Sequence, residues 1–303
     1  MTRDWHLAAV DALLRLRTPG AGWGYRPDSP AYVEPTGLAC LALVASETQR
    51  EEAGLREAVE ESADWLAGVQ GADGSLGISA THPKPGWPTP YAILLWAELQ
   101  VHAAHLDRAV RWLLRRHGHA FKKPADSPIG HDTTIPGWPW VEKTHSWLEP
   151  TALAVLALAR AGESKQQRTR DGIRLIRDRA VRTGGWNYGN NAVFGRDLRA
   201  RPAPTGLALA ALAVAGERDD CVESGLEYLS DFLPQTRSPQ SLCWGLLGMK
   251  AWGVWPEEAG QWLAEAFENA MRRRDPAPQL AYLVLAAGRG SLDVLGLQIG
   301  GGR

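Results

Sequence analysis

Pro35-Thr36-Gly37-Leu38-Ala39-Cys40-Leu41-Ala42-Leu43-Val44-Ala45 decides the reading of this chain. After the Pro-Thr pair every residue is small or aliphatic, so a helix made from it has no polar face. Such a helix is buried on every side. The same opening returns at Pro88-Thr89 (TPYAILLWAEL), Pro150-Thr151 (TALAVLALARAG) and Pro204-Thr205 (TGLALAALAVAG). Two variants follow, at Pro239-Gln240 (QSLCWGLLGMKAWG) and Pro278-Gln279 (QLAYLVLAAG). Proline suits the first turn of a helix, where its missing N–H has no partner to lose. Each run is therefore predicted to be a helix starting at its proline. The six prolines are about 49 residues apart on average, which leaves room for two helices and their loops.

The stretches between these runs are amphipathic. Asp4–Arg17, Glu51–Val69, Asp171–Val181 and Glu257–Arg273 carry charged faces and read as an outer layer. Alternating inner and outer helices define an all-α chain, a single (α/α)6 barrel, or toroid, of six helical hairpins. The toroid is expected over residues 1–290, with a loose Gly-rich tail at 291–303.

A second repeat lies just upstream of the inner helices: Gly22-Trp23-Gly24-Tyr25, Gly137-Trp138-Pro139-Trp140 and Gly185-Trp186-Asn187-Tyr188, with a degenerate copy at Gly74-Ser75-Leu76-Gly77. Trp23–Thr36, Leu76–Thr89 and Trp138–Thr151 are each 13 residues apart, and an insertion stretches Trp186–Thr205 to 19. Glycine permits the tight turn that leaves the outer helix. The aromatic residue is expected to pack between neighbouring hairpins.

Composition narrows the function. The chain has 303 residues, a formal net charge of −1, 45% hydrophobic and 22% charged residues. A near-neutral chain offers no basic patch to displace counterions, so nucleic acid is not an expected partner. Cys40, Cys221 and Cys243 are too few and too far apart for a disulfide framework or a zinc ribbon, and fit a reducing, cytoplasmic setting. The charged N-terminal segment does not read as a signal peptide, and the longest apolar run, 206–216, is too short to span a bilayer. Fourteen tryptophans against four phenylalanines point to a Trp-rich core or a Trp-lined pocket.

The repeats resemble those of the terpenoid cyclase and protein prenyltransferase superfamily, to which squalene–hopene cyclases belong. Val69-Gln70-Gly71-Ala72-Asp73-Gly74-Ser75-Leu76-Gly77 is similar to that family's Gln-x-x-x-Gly-x-Trp repeat, with Leu76 where Trp is expected. Gly184-Gly185-Trp186 matches its end, with Ala180 in place of the Gln. The resemblance covers about residues 4–290. It implies the toroid fold and a central cavity for a hydrophobic isoprenoid. Family members that cyclise by protonation carry Asp-x-Asp-Asp before Thr-Ala at one inner helix. This chain lacks that motif. Aligned on the threonine, Glu34 (Tyr32-Val33-Glu34-Pro35-Thr36) and Glu149 (Trp147-Leu148-Glu149-Pro150-Thr151) take the place of the middle Asp. Neither the Asp-x-Cys pair of the zinc prenyltransferases nor the Gly-Cys-Gly-Glu-Gln of thioester domains is present. No metal or cofactor is expected.

Inner helices of such a ring run in one direction, so their N-termini share one mouth. Tyr32, Trp87, Trp138, Trp140, Trp147, Trp186, Tyr188 and Trp244 are candidates to line it and bind substrate; aromatic faces stabilise cations. Glu34 and Glu149 are candidate proton donors, or acids that merely stabilise helix N-termini. Burial raises their pKa and a helix N-terminus lowers it. The polar, aromatic segment 131–149 either caps the barrel or carries chemistry, with Asp132 and His145 joining Glu149 as an acid–base set. Arg196, Arg199 and Arg201 either meet an anionic head group or form a solvated loop. These features suit protonation-initiated cyclisation of a linear or isoprenoid-tailed substrate. A non-catalytic lipid- or peptide-binding module, or a transferase or carbohydrate-active enzyme on the same barrel, fits the same residues. Contact with a membrane surface and the oligomeric state are left open by the sequence.

Overall fold

The computed structural model describes residues 4–46 and 53–299. Parts of two expectations, residues 51–52 of the second amphipathic stretch and 300–303 of the tail, lie outside them. Outer helices are α1 (Asp4–Arg15), α3 (Ala53–Gly68), α5 (Ala103–Arg115), α7 (Gln167–Asp178), α9 (Asp220–Phe232) and α11 (Ala259–Ala270). Inner helices are α2 (Val33–Ala45), α4 (Thr89–Leu99), α6 (Leu148–Arg160), α8 (Pro202–Ala213), α10 (Pro239–Ala251) and α12 (Pro276–Ala287). Each inner helix packs on the next, and α12 packs on α2, so the inner layer closes on itself. The chain has the all-α toroid expected from its sequence. Its strands, β1 (Ala192–Val193) and β2 (Arg196–Asp197), form one short antiparallel ribbon in the insertion before α8.

Five inner helices start within two residues of the predicted proline but not at it, α4 one residue after it. Helices α2, α6, α8 and α12 begin two residues earlier. The first turn needs no intrahelical N–H bonds, so proline is tolerated at its second or third position as well as its first. As a result Glu34 and Glu149 are the second residues of α2 and α6, inside the first turn instead of ahead of it.

The repeated Gly-Trp turn and the Pro-Thr opening are two halves of one joint. Trp23 N–H donates to Thr36 Oγ1 at 3.0 Å, and that hydroxyl faces Trp23 O at 3.2 Å. Leu76, Trp138 and Trp186 repeat the backbone bond, each at 2.9 Å, with Thr89, Thr151 and Thr205. The indole N–H then returns to the outer helix just completed. Trp23 Nε1 donates to Leu13 O at 2.7 Å, Trp138 Nε1 to Leu113 O at 2.9 Å, and Trp186 Nε1 to Ile176 O at 2.6 Å. One tryptophan thus satisfies a helix-end carbonyl and ties the hairpin's two arms, while its ring fills the gap between hairpins. Helices α10 and α12 lack this threonine. Backbone contact replaces it between α8 and α10: a Cβ on Gly206 would lie 2.1 Å from Trp244 O, and one on Gly248 2.4 Å from Gly206 O.

Residues 289–297, after α12, are packed, not loose. Leu292, Val294, Leu295 and Leu297 are buried. Two short 3₁₀ turns, Arg289–Ser291 and Asp293–Leu295, touch α12, α2, α4 and α6, and Lys250 Nζ of α10 reaches Ser291 Oγ at 2.8 Å. The glycines suggested a tail; the four aliphatic side chains between them give it a reason to pack.

Candidate functional site

The mouth formed by the inner-helix N-termini holds two carboxyls. Glu34 and Glu149 project from equivalent first-turn positions of α2 and α6, which flank α4 in the ring. Each keeps some accessible surface yet sits deep among apolar side chains. Two effects compete at these positions, and burial wins. Burial raises Glu34, against a lowering hydrogen bond from the Tyr25 hydroxyl. Burial and then the Glu34 charge raise Glu149 to about 7. A group with that value is half protonated at neutral pH.

Three tyrosines missed in the sequence reading join them. Tyr25, from the first Gly-Trp turn, donates to Glu34 Oε2 and lies 5.1 Å, ring to ring, from Tyr32. Tyr91 on α4 and Tyr282 on α12 are buried, and burial, followed by the charges of Glu34 and Glu149, pushes both hydroxyls up, with Tyr282 adding to the effect on Tyr91. Tyr91 OH has no hydrogen-bond partner among the described residues, and neither has Trp244 Nε1. The Trp244 ring meets Tyr282 edge-on at 6.5 Å. The available signal was a lone hydroxyl within otherwise apolar inner-helix runs.

The other candidates divide. Trp87 and Trp140 meet edge-to-face at 4.7 Å and wall a crevice with Trp112 and Trp138 between the second and third hairpins. Trp138 and Trp186 do not face the carboxyls. The Trp138 ring lies beneath the Arg168 guanidinium, 3.9 Å from its centroid, and against Gly172 of α7. Trp186 packs against Gly225 of α9. Their indole bonds to the outer helices turn both rings outward. Tyr188 is 48% exposed and so is not a lining residue of the central mouth.

Asp132, His145 and Glu149 do not form an acid–base set. Asp132 Oδ1 accepts from Thr134 N–H at 2.8 Å and Thr134 Oγ1 at 2.7 Å, so it shapes a turn, and those bonds hold its carboxyl low. His145 is exposed, with its ring 6.0 Å from that of Trp147. Neither contributes to the Glu149 shift. Trp147 precedes α6 in extended conformation and faces a separate side cavity. Cys40 and Cys243 are buried thiols, and burial pushes Cys40 up to about 12. Among the described residues no three His, Cys, Asp or Glu side chains come together as a metal site, and no helix is long and apolar enough to cross a membrane.

No protein-family model matches the chain, and no curated protein matches it in sequence. Its fold is similar to that of solved structures. A variant of the type II terpene cyclase MstE from Scytonema, bound to its product merosterolic acid A, superposes with a TM-score of 0.64 at 16% identity, over 96% of this chain and 97% of that one. Another MstE variant, bound to its substrate geranylgeranyl dihydroxybenzoate, gives 0.62 at 17%, over 94% and 97%. The same fold appears within Salmonella α-2-macroglobulin, at 0.53 and 15%, over 95% of this chain and 17% of that chain. The chain therefore has the terpenoid-cyclase-like α/α-toroid fold, a fold that also serves proteins of other function.

Proposed function

We propose that this protein is a terpenoid-cyclase-like enzyme that starts cyclisation of a linear or isoprenoid-tailed substrate by protonating an alkene. The observation that carries the reading is the pair of deep carboxyls at one apolar mouth, with Glu149 raised to about 7. In this reading Glu149 is the acid. Its O–H bond breaks, the proton adds to one alkene carbon, and a carbocation forms at the other. Burial disfavours the carboxylate left behind, but the cation formed beside it offsets that penalty as an ion pair. The rings of Trp244, Tyr282 and Tyr91 flank the cation. Ring closure forms the carbon–carbon bond, and return of a proton from the cyclised cation to Glu149 regenerates the acid. Glu34, held by Tyr25, is the neighbouring carboxyl that adds to burial in raising Glu149. Substrate and product have the same mass.

The test is a mass-spectrometric assay with linear isoprenoids of about ten to thirty carbons, as alcohols, diphosphates and aromatic-headed forms, on wild type, Glu149→Gln and Glu34→Gln. The expected result is a cyclised isomer whose formation falls by about 10² or more in Glu149→Gln. In wild type it should decline as pH rises above about 7, because only the protonated acid reacts. Unchanged substrates across the panel, or undiminished product in Glu149→Gln, would sink the reading and leave the mouth as a binding site.

A further inference from the structure

Beside the central mouth lies a second cavity of about 130 Å³, open to solvent, between the 119–147 segment and the 187–198 insertion. Its walls are of two kinds. His119 and Phe121 stack at 5.5 Å, and with Ile129 and Trp147 they make flat, apolar faces. Arg179 and His131, each 5% exposed, supply buried polar groups. Burial, helped by Arg179 and Lys123, pushes His131 down to about 3, so its ring is neutral, and its Nδ1 has no partner among the described residues.

Arg179 is only partly answered. Its Nη1 donates to Gly189 O at 3.2 Å. Its Nε forms a long ion pair with Asp178 Oδ2 at 3.5 Å, too far for a good hydrogen bond. That carboxylate is also occupied, accepting the Asp132 backbone N–H at 3.1 Å. Lys123 adds charge nearby, but its ammonium is held by Ile129 O and His131 O, both at 2.8 Å. Among the described residues that line the cavity, Arg179 is the one with a fixed positive charge.

We infer that this cavity binds a small aromatic carboxylate, with its ring between the Trp147 and Phe121 walls and its carboxylate on Arg179. One guanidinium, already shared with Asp178, matches at most a single further negative charge, whereas a phosphate dianion calls for more than one free cation. The flat walls select a planar ring over an aliphatic acid. The inference stands on this cavity alone and does not depend on the cyclase reading. The acid is either free or the head of a longer molecule.

Ligand-detected NMR titration of the full chain with benzoate, benzamide and inorganic phosphate tests it. Benzoate should saturate near about 1 mM, ordinary for so small a ligand. Benzamide and phosphate should bind at least about tenfold more weakly. Arg179→Met should lose at least about tenfold in benzoate affinity. Ile129→Trp fills the cavity without touching the charge and should lose as much while its circular dichroism stays that of wild type, so a folding defect in Arg179→Met leaves the test intact. A gain of about tenfold for 4-octylbenzoate would mark the acid as the head of a tailed molecule, and equal affinity would mark a free acid; both keep the carboxylate site. Equal binding of benzamide or phosphate, benzoate binding unaffected by Ile129→Trp, or no saturation below about 10 mM would overturn the inference.

Discussion

Two groups of tryptophan do different work in this ring. Trp23, Trp138 and Trp186 sit at hairpin turns, with backbone N–H on a threonine and indole N–H on an outer-helix carbonyl. Trp244 lies on an inner helix with its indole N–H unpartnered, and Trp87 is partly accessible in the crevice between the second and third hairpins. A buried indole whose N–H is satisfied by backbone is fixed in one orientation and belongs to the scaffold. One whose N–H has no protein partner is free to meet a ligand. The polar handle, rather than burial, separates the two groups: Trp186 and Trp244 are both essentially inaccessible.

The contrast is open to attack, most severely at Trp186. Trp186→Ala should destabilise the fold by about 3–5 kcal/mol in urea unfolding, through a large cavity and the loss of the indole bond to the Ile176 carbonyl. Trp87→Ala should cost well under half of that and fall instead on ligand binding. Similar losses in both would erase the distinction.

Next in size is the acid at the mouth. Glu149 has a folded-state pKa of about 7 against an ordinary 4.5. The folded chain therefore holds the proton more tightly than the unfolded one. Stability from this group is full below pH 4.5 and falls as pH rises to about 7, by about 3 kcal/mol in total. Glu149→Gln should remove that slope and be the more stable protein above pH 7. Parallel stability curves for the two proteins from pH 5 to 8 would mean that the carboxyl is not buried as described.

Thr205→Val leaves the Trp186 N–H unsatisfied at nearly constant volume and should lose about 1–3 kcal/mol. The smallest effect belongs to Trp244→Phe, which deletes an unpartnered N–H and should change stability by less than about 1 kcal/mol. A loss as large as that of Thr205→Val would place Trp244 with the scaffold group.

Much of this was legible in the sequence. Apolar runs opened by proline identify buried helices because no polar face remains to meet water, and their recurrence implies the ring. The 13-residue interval between Trp and Thr marked a joint without showing its chemistry. Trp138 and Trp186 read as mouth residues because they precede inner helices. Their rings turn outward because the accepting carbonyls, Leu113 O and Ile176 O, belong to the helices before them, and residue type does not show where a carbonyl points. Asp132 looked catalytic beside two histidines, but a carboxylate two residues before a threonine is equally a turn-former. Glu34 and Glu149 were visible as a pair; the tyrosines around them were not, since their convergence depends on which helices the ring makes neighbours.

The seam where α12 meets α2 joins the two ends of the described chain. Every other contact between inner helices of the ring links consecutive hairpins and can form as soon as its two parts exist. This one requires closing a loop over nearly the whole polypeptide, whose entropy grows only slowly with length but which no local contact can anticipate. The seam therefore governs how quickly the protein folds more than how stable it is.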